Sequence, residues 1–355
     1  MNYRKLFLLF ALCLLAAGSP LANAQYQMQV YGLWHCYDDA CSWASVPNMT
    51  TFDSNNHWII DRNHDNTFHP SVNVVVLSFV DPVKLMNLTN DSSTVNGIPT
   101  GMNTAVINYF QSHGIRVMMS IGGFSYISHW EKALKSNATQ LGINAANAAK
   151  KFNVGMEIDY EKSSNPNLPG LQQFVSAYRS VVPYDPSGSN YAARLTIDIG
   201  DGDTYLTSLA NYAVTHWLQT SNPVLDYANA MVASQNTNVT TLESGWQQHV
   251  SGNGSVPPMA PAKLTGSLWV VGNTVIPNCN NFSVSDEETA FNFVSTVQPS
   301  GSGTTAGMLG YMFWGGGCQG NGTVCTYPPN TCEAGVGTGA TSFNVPTGTF
   351  ALRQQ

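Results

Sequence analysis

Charged side chains are scarce in this sequence, since Asp, Glu, Lys and Arg make up only 10% of its 355 residues. Acidic residues outnumber basic ones by 21 to 14, so the formal net charge is −7. A chain with so few basic residues is not expected to bind nucleic acid, whose phosphates are contacted mainly by Lys and Arg. Asn, Ser, Thr and Gly are frequent instead, as in many extracellular proteins.

Long apolar runs are also missing, except at the N-terminus. Met1–Lys5 is short and basic, Leu6–Gly18 is apolar, and Ala22–Ala24 has the small residues of a cleavage site. We therefore expect a secretory signal peptide over residues 1–24, which is too short for a stable membrane span. Losing its two basic residues takes the formal charge from −7 to −9. The mature chain is expected to be secreted, monomeric and without a membrane partner.

Cysteine is sparse, with seven residues in all, one of which lies in the expected leader. The remaining six are an even number, which in a secreted chain predicts disulfides. Cys36 and Cys41 are close enough to pair within one loop, and two bridges are expected among the four late cysteines. Those four are Cys279, Cys318, Cys325 and Cys332. Because their spacings match no zinc motif and no His lies nearby, we expect no metal there.

Several common enzyme motifs are absent. The sequence has no Gly-x-Ser-x-Gly nucleophile elbow and no phosphate-binding loop. Four histidines crowd one early segment at spacings that would permit a metal, but in a polar loop we interpret them as surface residues. They are His35, His57, His64 and His69. No linker rich in Pro, Thr or Ser divides the chain, so we expect one domain over residues 25–355, with disulfide-bearing loops at its C-terminal end.

Sequons for N-glycosylation are frequent, and they would matter in a source that glycosylates secreted proteins. They begin at Asn48, Asn87, Asn90, Asn137, Asn238, Asn253, Asn281 and Asn321.

Short strand patterns alternate with helical patterns along most of the chain. Strands are predicted at residues 28–34, 72–80, 115–121, 154–161, 194–199, 225–233, 264–271 and 308–314. Helices are predicted at 102–113, 141–152, 168–182, 205–218, 240–250 and 285–297, and residues 36–68 are expected to form a long polar loop. Eight strands alternating with helices predict an α/β fold, a (β/α)₈ TIM barrel, rather than a sandwich.

The most informative segment is residues 153–161, which alternate with a period of two and so predict a strand. One face carries Val154, Met156, Ile158 and Tyr160, and the other carries Gly155, Glu157, Asp159 and Glu161. Because carboxylates roughly 7 Å apart repel one another, at least one is expected to hold its proton well above the free-residue pKa. The alternative is a solvated acidic edge strand. A protonated carboxyl beside an ionised one is what acid/base cleavage of a glycosidic bond uses.

This segment resembles the fourth-strand motif of family 18 glycoside hydrolases, Asp-x-x-Asp-x-Asp-x-Glu. Asp159 and Glu161 match its last two acids, while Glu157 replaces the second Asp with a longer carboxyl. Val154 replaces the first Asp, which usually has a supporting role. The motif implies that Glu157, Asp159 and Glu161 are the catalytic residues.

Two further segments resemble strands of the same family. Ser120–Phe124 is similar to its third-strand Ser-x-Gly-Gly motif, in which Gly122 and Gly123 would let the backbone approach a ligand; a tight turn is the alternative. Gly310–Trp314 is similar to its last strand, whose Trp forms the floor under the sugar; a core aromatic is the alternative.

Residues 226–234 resemble the family's sixth strand. Asp226, Asn229 and Met231 match, but Ala233 and Ser234 stand where a Tyr and an Asp usually hydrogen-bond the substrate. Phe79, which ends the second strand, lies where the family has an aromatic residue, and Trp34 is a weaker candidate. The substrate-binding residues implied are Trp314, Phe79, Gly122, Gly123, Tyr160 and Met231.

The resemblance implies a secreted hydrolase of β-1,4 bonds in N-acetylglucosamine polymers such as chitin, acting with retention and assisted by the substrate. Glu161 would protonate the leaving oxygen while Asp159 orients the attacking acetamido group and shares a proton with Glu157. The partner expected is an oligo- or polysaccharide containing N-acetylglucosamine, and no cofactor is needed. Two alternatives remain: an endo-β-N-acetylglucosaminidase acting on N-glycans, and a non-catalytic chitinase-like binding protein. The retained Glu161 argues for an enzyme, whereas Ala233 argues for the binder.

Overall fold

The structure, a computed structural model, describes residues 28–36, 43–61, 66–231, 238–269, 284–299 and 307–314. In chain order its strands are β1 (Val30–His35), β2 (Val74–Val80), β3 (Thr94–Val95), β4 (Ile98–Pro99), β5 (Arg116–Gly122), β6 (Gly155–Asp159), β7 (Leu195–Ile199), β8 (Ala228–Ala230), β9 (Leu264–Trp269) and β10 (Gly310–Trp314).

Eight of these strands form a closed parallel barrel, while β3 and β4 pair as a separate hairpin. The barrel strands follow one another in chain order, and β10 closes onto β1 through pairs such as Tyr31 with Tyr311. The predicted (β/α)₈ barrel is confirmed, and every barrel strand overlaps its predicted segment.

Helices follow most of the strands. They are α1 (Met49–Ile60), α2 (Pro82–Met86), α3 (Thr104–Gln111), α4 (Ile127–Phe152), α5 (Leu168–Val181), α6 (Thr207–His216), α7 (Val239–Ser251) and α8 (Val284–Thr296). Within the described part of the chain, none of them has the length and apolar character needed to cross a membrane.

Helix α1 shows that the prediction of a polar loop over residues 36–68 was wrong. The side chain of Asn48 accepts hydrogen bonds from the amides of Thr50 and Thr51, which caps the helix N-terminus. The helix buries Phe52 and Ile59 against the core. Its remaining positions are mostly polar, so the helical spacing of apolar residues was too incomplete to predict a helix.

His35 also differs from its predicted place at the surface. It is fully buried, and its Nε2 lies 2.8 Å from Oδ1 of Asn56 on α1. Burial lowers the pKa of His35 to about 4, so the imidazole is a neutral core group at physiological pH.

Helix α4 begins well before the predicted 141–152 segment. The backbone at Asn137 leaves the helical region (φ −162°, ψ 73°), and the Asn137 side chain accepts a hydrogen bond from the amide of Gln140. This asparagine therefore starts a second helical segment, and the predicted helix lies within that segment.

Each barrel strand divides its side chains between two cores. Met156, Ile158 and their neighbours point outward and pack against the helices, while residues such as Val76 and Met118 fill the barrel interior. Nearer the carboxyl ends of the strands, the interior becomes polar but stays buried. The side chains there include Ser120, Glu157, Asp198, Asn229 and Thr265.

Some sequence predictions concern residues outside the described ranges. They include the leader, five of the six mature cysteines, and Ala233 with Ser234. Cys36 is described and lies buried immediately after β1. Disulfide pairing and secretion therefore stay predictions.

Candidate active site

The acidic face of β6 points into the barrel. Glu157 is 0% exposed and Asp159 is 3% exposed, so neither side chain belongs to a solvated edge strand. Glu161 follows the end of the strand and is partly exposed at the rim. Active sites of TIM barrels lie at this carboxyl face. The three predicted catalytic acids thus lie at increasing distance from the buried interior.

Both oxygens of Glu157 accept hydrogen bonds from other strands. The indole Nε1 of Trp34 on β1 donates to Oε1 at 2.8 Å, and Nδ2 of Asn229 on β8 donates to Oε2 at 2.8 Å. The hydroxyl of Thr265 on β9 donates to Oδ1 of Asn229 at 2.6 Å. The Asn229 amide thus presents its NH₂ group to the acid and its oxygen to Thr265.

A fourth acid, Asp198 on β7, joins this cluster. It is 1% exposed, and its Oδ1 lies 2.9 Å from the same Asn229 Nδ2 that contacts Glu157. Asp198 is not among the acids predicted from the sequence. The signal was present, however, because Thr196 and Asp198 alternate with apolar Leu195, Ile197 and Ile199 along the strand.

Burial shifts the pKa of both inner acids upward. It raises the pKa of Glu157 from 4.5 to about 7, although hydrogen bonds to the carboxyl group, the strongest from Trp34, oppose the shift. Burial also raises the pKa of Asp198 well above its ordinary range, and the negative charges of Glu157 and Asp159 add to the shift. A carboxyl that keeps its proton near neutral pH is what the acidic strand pattern predicts, but desolvation is a larger cause than repulsion.

Glu161 is positioned by a residue from a different loop. The hydroxyl of Tyr205, just before α6, lies 3.1 Å from Oε2 of Glu161 and 3.4 Å from its backbone oxygen. Sequence analysis placed Tyr205 only at the start of a helix. Its role depends on how the loop after β7 folds, which the local pattern does not encode.

Three aromatic side chains lie together at the ends of β1, β2 and β10. The ring centroids of Trp34 and Trp314 are 6.0 Å apart, and those of Phe79 and Trp314 are also 6.0 Å apart. The peptide bond between Ser78 and Phe79 is cis. The structure thus brings together the predicted Trp314 and Phe79, and Trp34 has a larger part than its sequence position suggested because it also contacts Glu157.

The predicted glycines lie against protein atoms. Gly122 has φ +120°, and a Cβ there would collide with the backbone oxygen of Asp159. A Cβ on Gly123 (φ +88°) would lie 2.8 Å from the Phe79 ring, and the Gly123 amide donates to the Asp159 oxygen at 3.0 Å. These contacts position Asp159 and Phe79, whereas backbone contact with a ligand stays a prediction.

Tyr160 does not face the barrel interior. It belongs to the outward core, its hydroxyl donates to Glu131, and it accepts from the amide of Asn167 at 2.8 Å. Because β6 alternates, Tyr160 must point away from Asp159, so its place on the apolar face contradicts a substrate-binding role. Met231, at the end of β8, is partly buried and its amide donates to the oxygen of Ile199 at 2.8 Å.

A small pocket of about 90 Å³ opens beside Phe79. Its walls combine the aromatic rings of Trp43 and Tyr126 with the charged side chains of Asp81 and Lys84. Aromatic faces with a few polar groups are suited to a sugar, which has both apolar faces and hydroxyls.

Solved structures similar to this chain are chitinases. A GH18 chitinase from Pseudoalteromonas aurantia shares 14% identity, with 80% of this chain and 93% of that chain covered and a TM-score of 0.49. A chitinase from Rhizomucor miehei shares 12% sequence identity. The match covers 81% of this chain and 94% of that chain, with a TM-score of 0.49. The chitinase ChiC from Aspergillus fumigatus shares 11% sequence identity. The match covers 85% of this chain and 95% of that chain, with a TM-score of 0.46.

The first of these structures is a chitinase of glycoside hydrolase family 18, the family that the motifs of this chain resemble. At this identity and TM-score the likeness carries no information about chemistry, which depends on the chain's own side chains. No sequence profile of a known protein family matches the chain, and no curated protein matches it in sequence.

Proposed function

We propose that the protein is a glycoside hydrolase that cleaves β-1,4 bonds next to N-acetylglucosamine, with chitin or its oligomers as substrate. The observation that carries the proposal is the placement of Glu161 at the barrel rim, held by Tyr205 at 3.1 Å and two residues after the inward-facing Asp159. The aromatic cluster of Trp34, Phe79 and Trp314 supplies an apolar floor on which a sugar ring stacks.

The proposed mechanism is retaining and uses the substrate's own acetamido group as nucleophile. Glu161 protonates the glycosidic oxygen as the acetamido oxygen attacks the anomeric carbon and the bond to the leaving sugar breaks. Asp159 stabilises the oxazolinium cation that forms. Water, deprotonated by Glu161, then adds to the anomeric carbon and regenerates the acetamido group. Protein side chains, the substrate and one water molecule supply every group in this scheme.

Two other functions are outcomes of the same test. Purified protein and its Glu161→Gln variant are incubated with chitin oligomers and with a high-mannose glycopeptide, and the products are weighed by mass spectrometry. Shortened chitin oligomers with the wild type alone support the proposal. Cleavage of the glycopeptide alone would replace chitin with N-glycans, while binding of chitin oligomers without any product would make the protein a carbohydrate-binding protein.

Secretion is part of the proposal, because polymeric chitin is met outside the cell. It rests on the leader pattern at residues 1–24. Expression of the full chain followed by N-terminal sequencing of material in the medium tests it, with a mature chain starting at Gln25 as the expected result.

A further inference from the structure

The buried acids Glu157 and Asp198 contact the same nitrogen of Asn229, at 2.8 and 2.9 Å. They come from adjacent strands, and a hydrogen bond between the two carboxyl groups lowers the pKa of Glu157 while it raises that of Asp198. Two ionised carboxylates in contact and out of water repel strongly, so the pair must hold a proton. The question is which of the two carries it.

The donors around the pair answer this question. Glu157 accepts at Oε1 from Trp34 and at Oε2 from Asn229. An indole N–H donates only, and the Asn229 amide presents its NH₂ group to both acids and its oxygen to the Thr265 hydroxyl. Both Glu157 oxygens are therefore matched to the ionised form. A proton on Glu157 would have to share an oxygen with one of these fixed donors.

We propose that Asp198 carries the shared proton in the resting protein and donates it in a hydrogen bond to Glu157, acting as a positioning residue for the catalytic acids. With the proton held one strand away, Asp159 remains an anion beside the reacting sugar. This differs from the arrangement implied by the family resemblance, in which Asp159 and Glu157 share the proton. The catalytic consequence rests on the proposed function, but the protonation state itself does not.

The surroundings of Asp198 support this assignment. The charged groups that act on it are Glu157 and Asp159 of β6, and the Asn229 amide faces it from β8. Within the described ranges, the buried cation nearest to Asp198 in sequence is Arg194, which lies at the other end of the barrel. Arg194 precedes β7 by one residue, four residues before Asp198, or roughly 13 Å along a strand. Asp198 therefore faces acids rather than a counter-ion that would favour its ionised form.

The first test measures protonation directly and needs no substrate. The full-length protein is labelled with ¹³C at its Asp carboxyls, or in a second sample at its Glu carboxyls, and titrated by NMR. We expect one Asp carboxyl to be neutral at pH 7 and to be missing from Asp198→Asn. Thr196→Val is the matched control: it alters another buried inward-facing residue of β7, whose hydroxyl has no hydrogen bond within the described chain, and should keep the neutral signal.

The proposal is overturned if every Asp carboxyl is ionised at pH 7, or if the neutral Asp signal persists in Asp198→Asn. A Glu signal that is still neutral at pH 8, above the pKa of about 7 of Glu157, and that disappears in Glu157→Gln would place the proton on the other partner. Because these readings come from the unliganded protein, they stand even if no hydrolytic activity is found.

The second test uses the pH profile of hydrolysis. In Asp198→Asn the amide NH₂ can donate to Glu157 as the protonated acid does. The acid limb of the pH profile of kcat should therefore stay within a few tenths of a pH unit of its position in the wild type. In Asp198→Ala the donor is lost, and the limb should move to higher pH by about one unit. A shift of a unit or more to lower pH in Asp198→Asn would mean that a negative charge had been removed, and would overturn the proposal.

Discussion

The hydroxyl of Tyr205 lies 3.1 Å from Oε2 of Glu161, although the two residues belong to different βα loops. Glu161 sits just beyond β6 and Tyr205 just before α6, so the contact bridges two neighbouring units of the barrel. A carboxyl group at the rim could otherwise rotate freely in solvent. The tyrosine holds one oxygen of this carboxyl group in place.

Replacing Tyr205 with Phe should therefore impair catalysis more than binding. A hydrogen bond to a charged group contributes about 1.5–3 kcal/mol, so we expect kcat to fall roughly tenfold or more with little change in KM. Hydrolysis of chitin oligomers measures this. Tyr212→Phe is the control, because it removes a hydroxyl from α6 that contacts Gln172 at 3.3 Å, away from the acids. Equal losses in both variants would contradict a specific role for Tyr205.

Glu161→Gln should remove hydrolysis and leave oligosaccharide binding nearly intact. Gln is close in shape to Glu but has no proton to donate to the leaving oxygen, and general acid catalysis is typically worth about 10²–10⁴-fold. Turnover by mass spectrometry and binding by calorimetry separate the two effects. A variant that turns over within a few-fold of the wild type would mean that Glu161 is not the acid.

Stability should depend on pH through Glu157. Its pKa is about 7 in the folded chain against an ordinary 4.5, so the folded state binds this proton more tightly than the unfolded state. The stabilisation is complete below pH 4.5 and is lost as the pH rises through 7.

The measurement compares wild type with Glu157→Gln, which lacks this ionisation. Between pH 4.5 and pH 8 the free energy of unfolding of the wild type should fall relative to the variant by roughly 1–3 kcal/mol, as denaturant titrations at several pH values would show. The comparison uses the change with pH, because the substitution itself also alters the contact with Asn229. If the free energies of unfolding of the two proteins changed in parallel with pH, Glu157 would not be desolvated in the folded state.

Two glycines with positive φ should respond differently to alanine. At Gly122 (φ +120°) a Cβ collides with the backbone oxygen of Asp159, whereas at Gly114 (φ +79°) nothing lies within 4 Å. Gly114→Ala should lower the free energy of unfolding by only about 1 kcal/mol, the cost of the backbone conformation. Gly122→Ala should cost clearly more and should also lower kcat, because Asp159 must move. Equal costs for the two variants would contradict the packing described here.

The fold could be predicted from sequence because each barrel strand has a short buried pattern of its own. The acidic face of β6 could also be predicted from the sequence, because Glu157 and Asp159 alternate with apolar neighbours in a single local segment. Helix α1 was missed because its few apolar residues are outnumbered by polar ones, and its cap at Asn48 is evident only from the structure.

The parts of the site that could not be predicted depend on pairs distant in sequence. Trp34 and Glu157 are 123 residues apart, and Asn229 and Glu157 are 72 apart. A lone acid such as Asp198 has no local partner to mark it. The prediction that Tyr160 binds substrate failed for a different reason. The alternation along the strand assigns Tyr160 to the outward face, but its position between Asp159 and Glu161 in the motif suggested that it belongs to the site.

The meeting of Trp34 and Trp314 ties the sugar floor to the seam of the barrel. They belong to the first and last barrel strands, which pair directly. Neither the floor nor the indole donor to Glu157 exists until the two ends of the chain have come together, and long-range contacts of this kind are entropically costly to close. A chain that opens at this seam while β5 to β8 stay paired would keep its acids together and lose the aromatic floor proposed to hold a sugar over them.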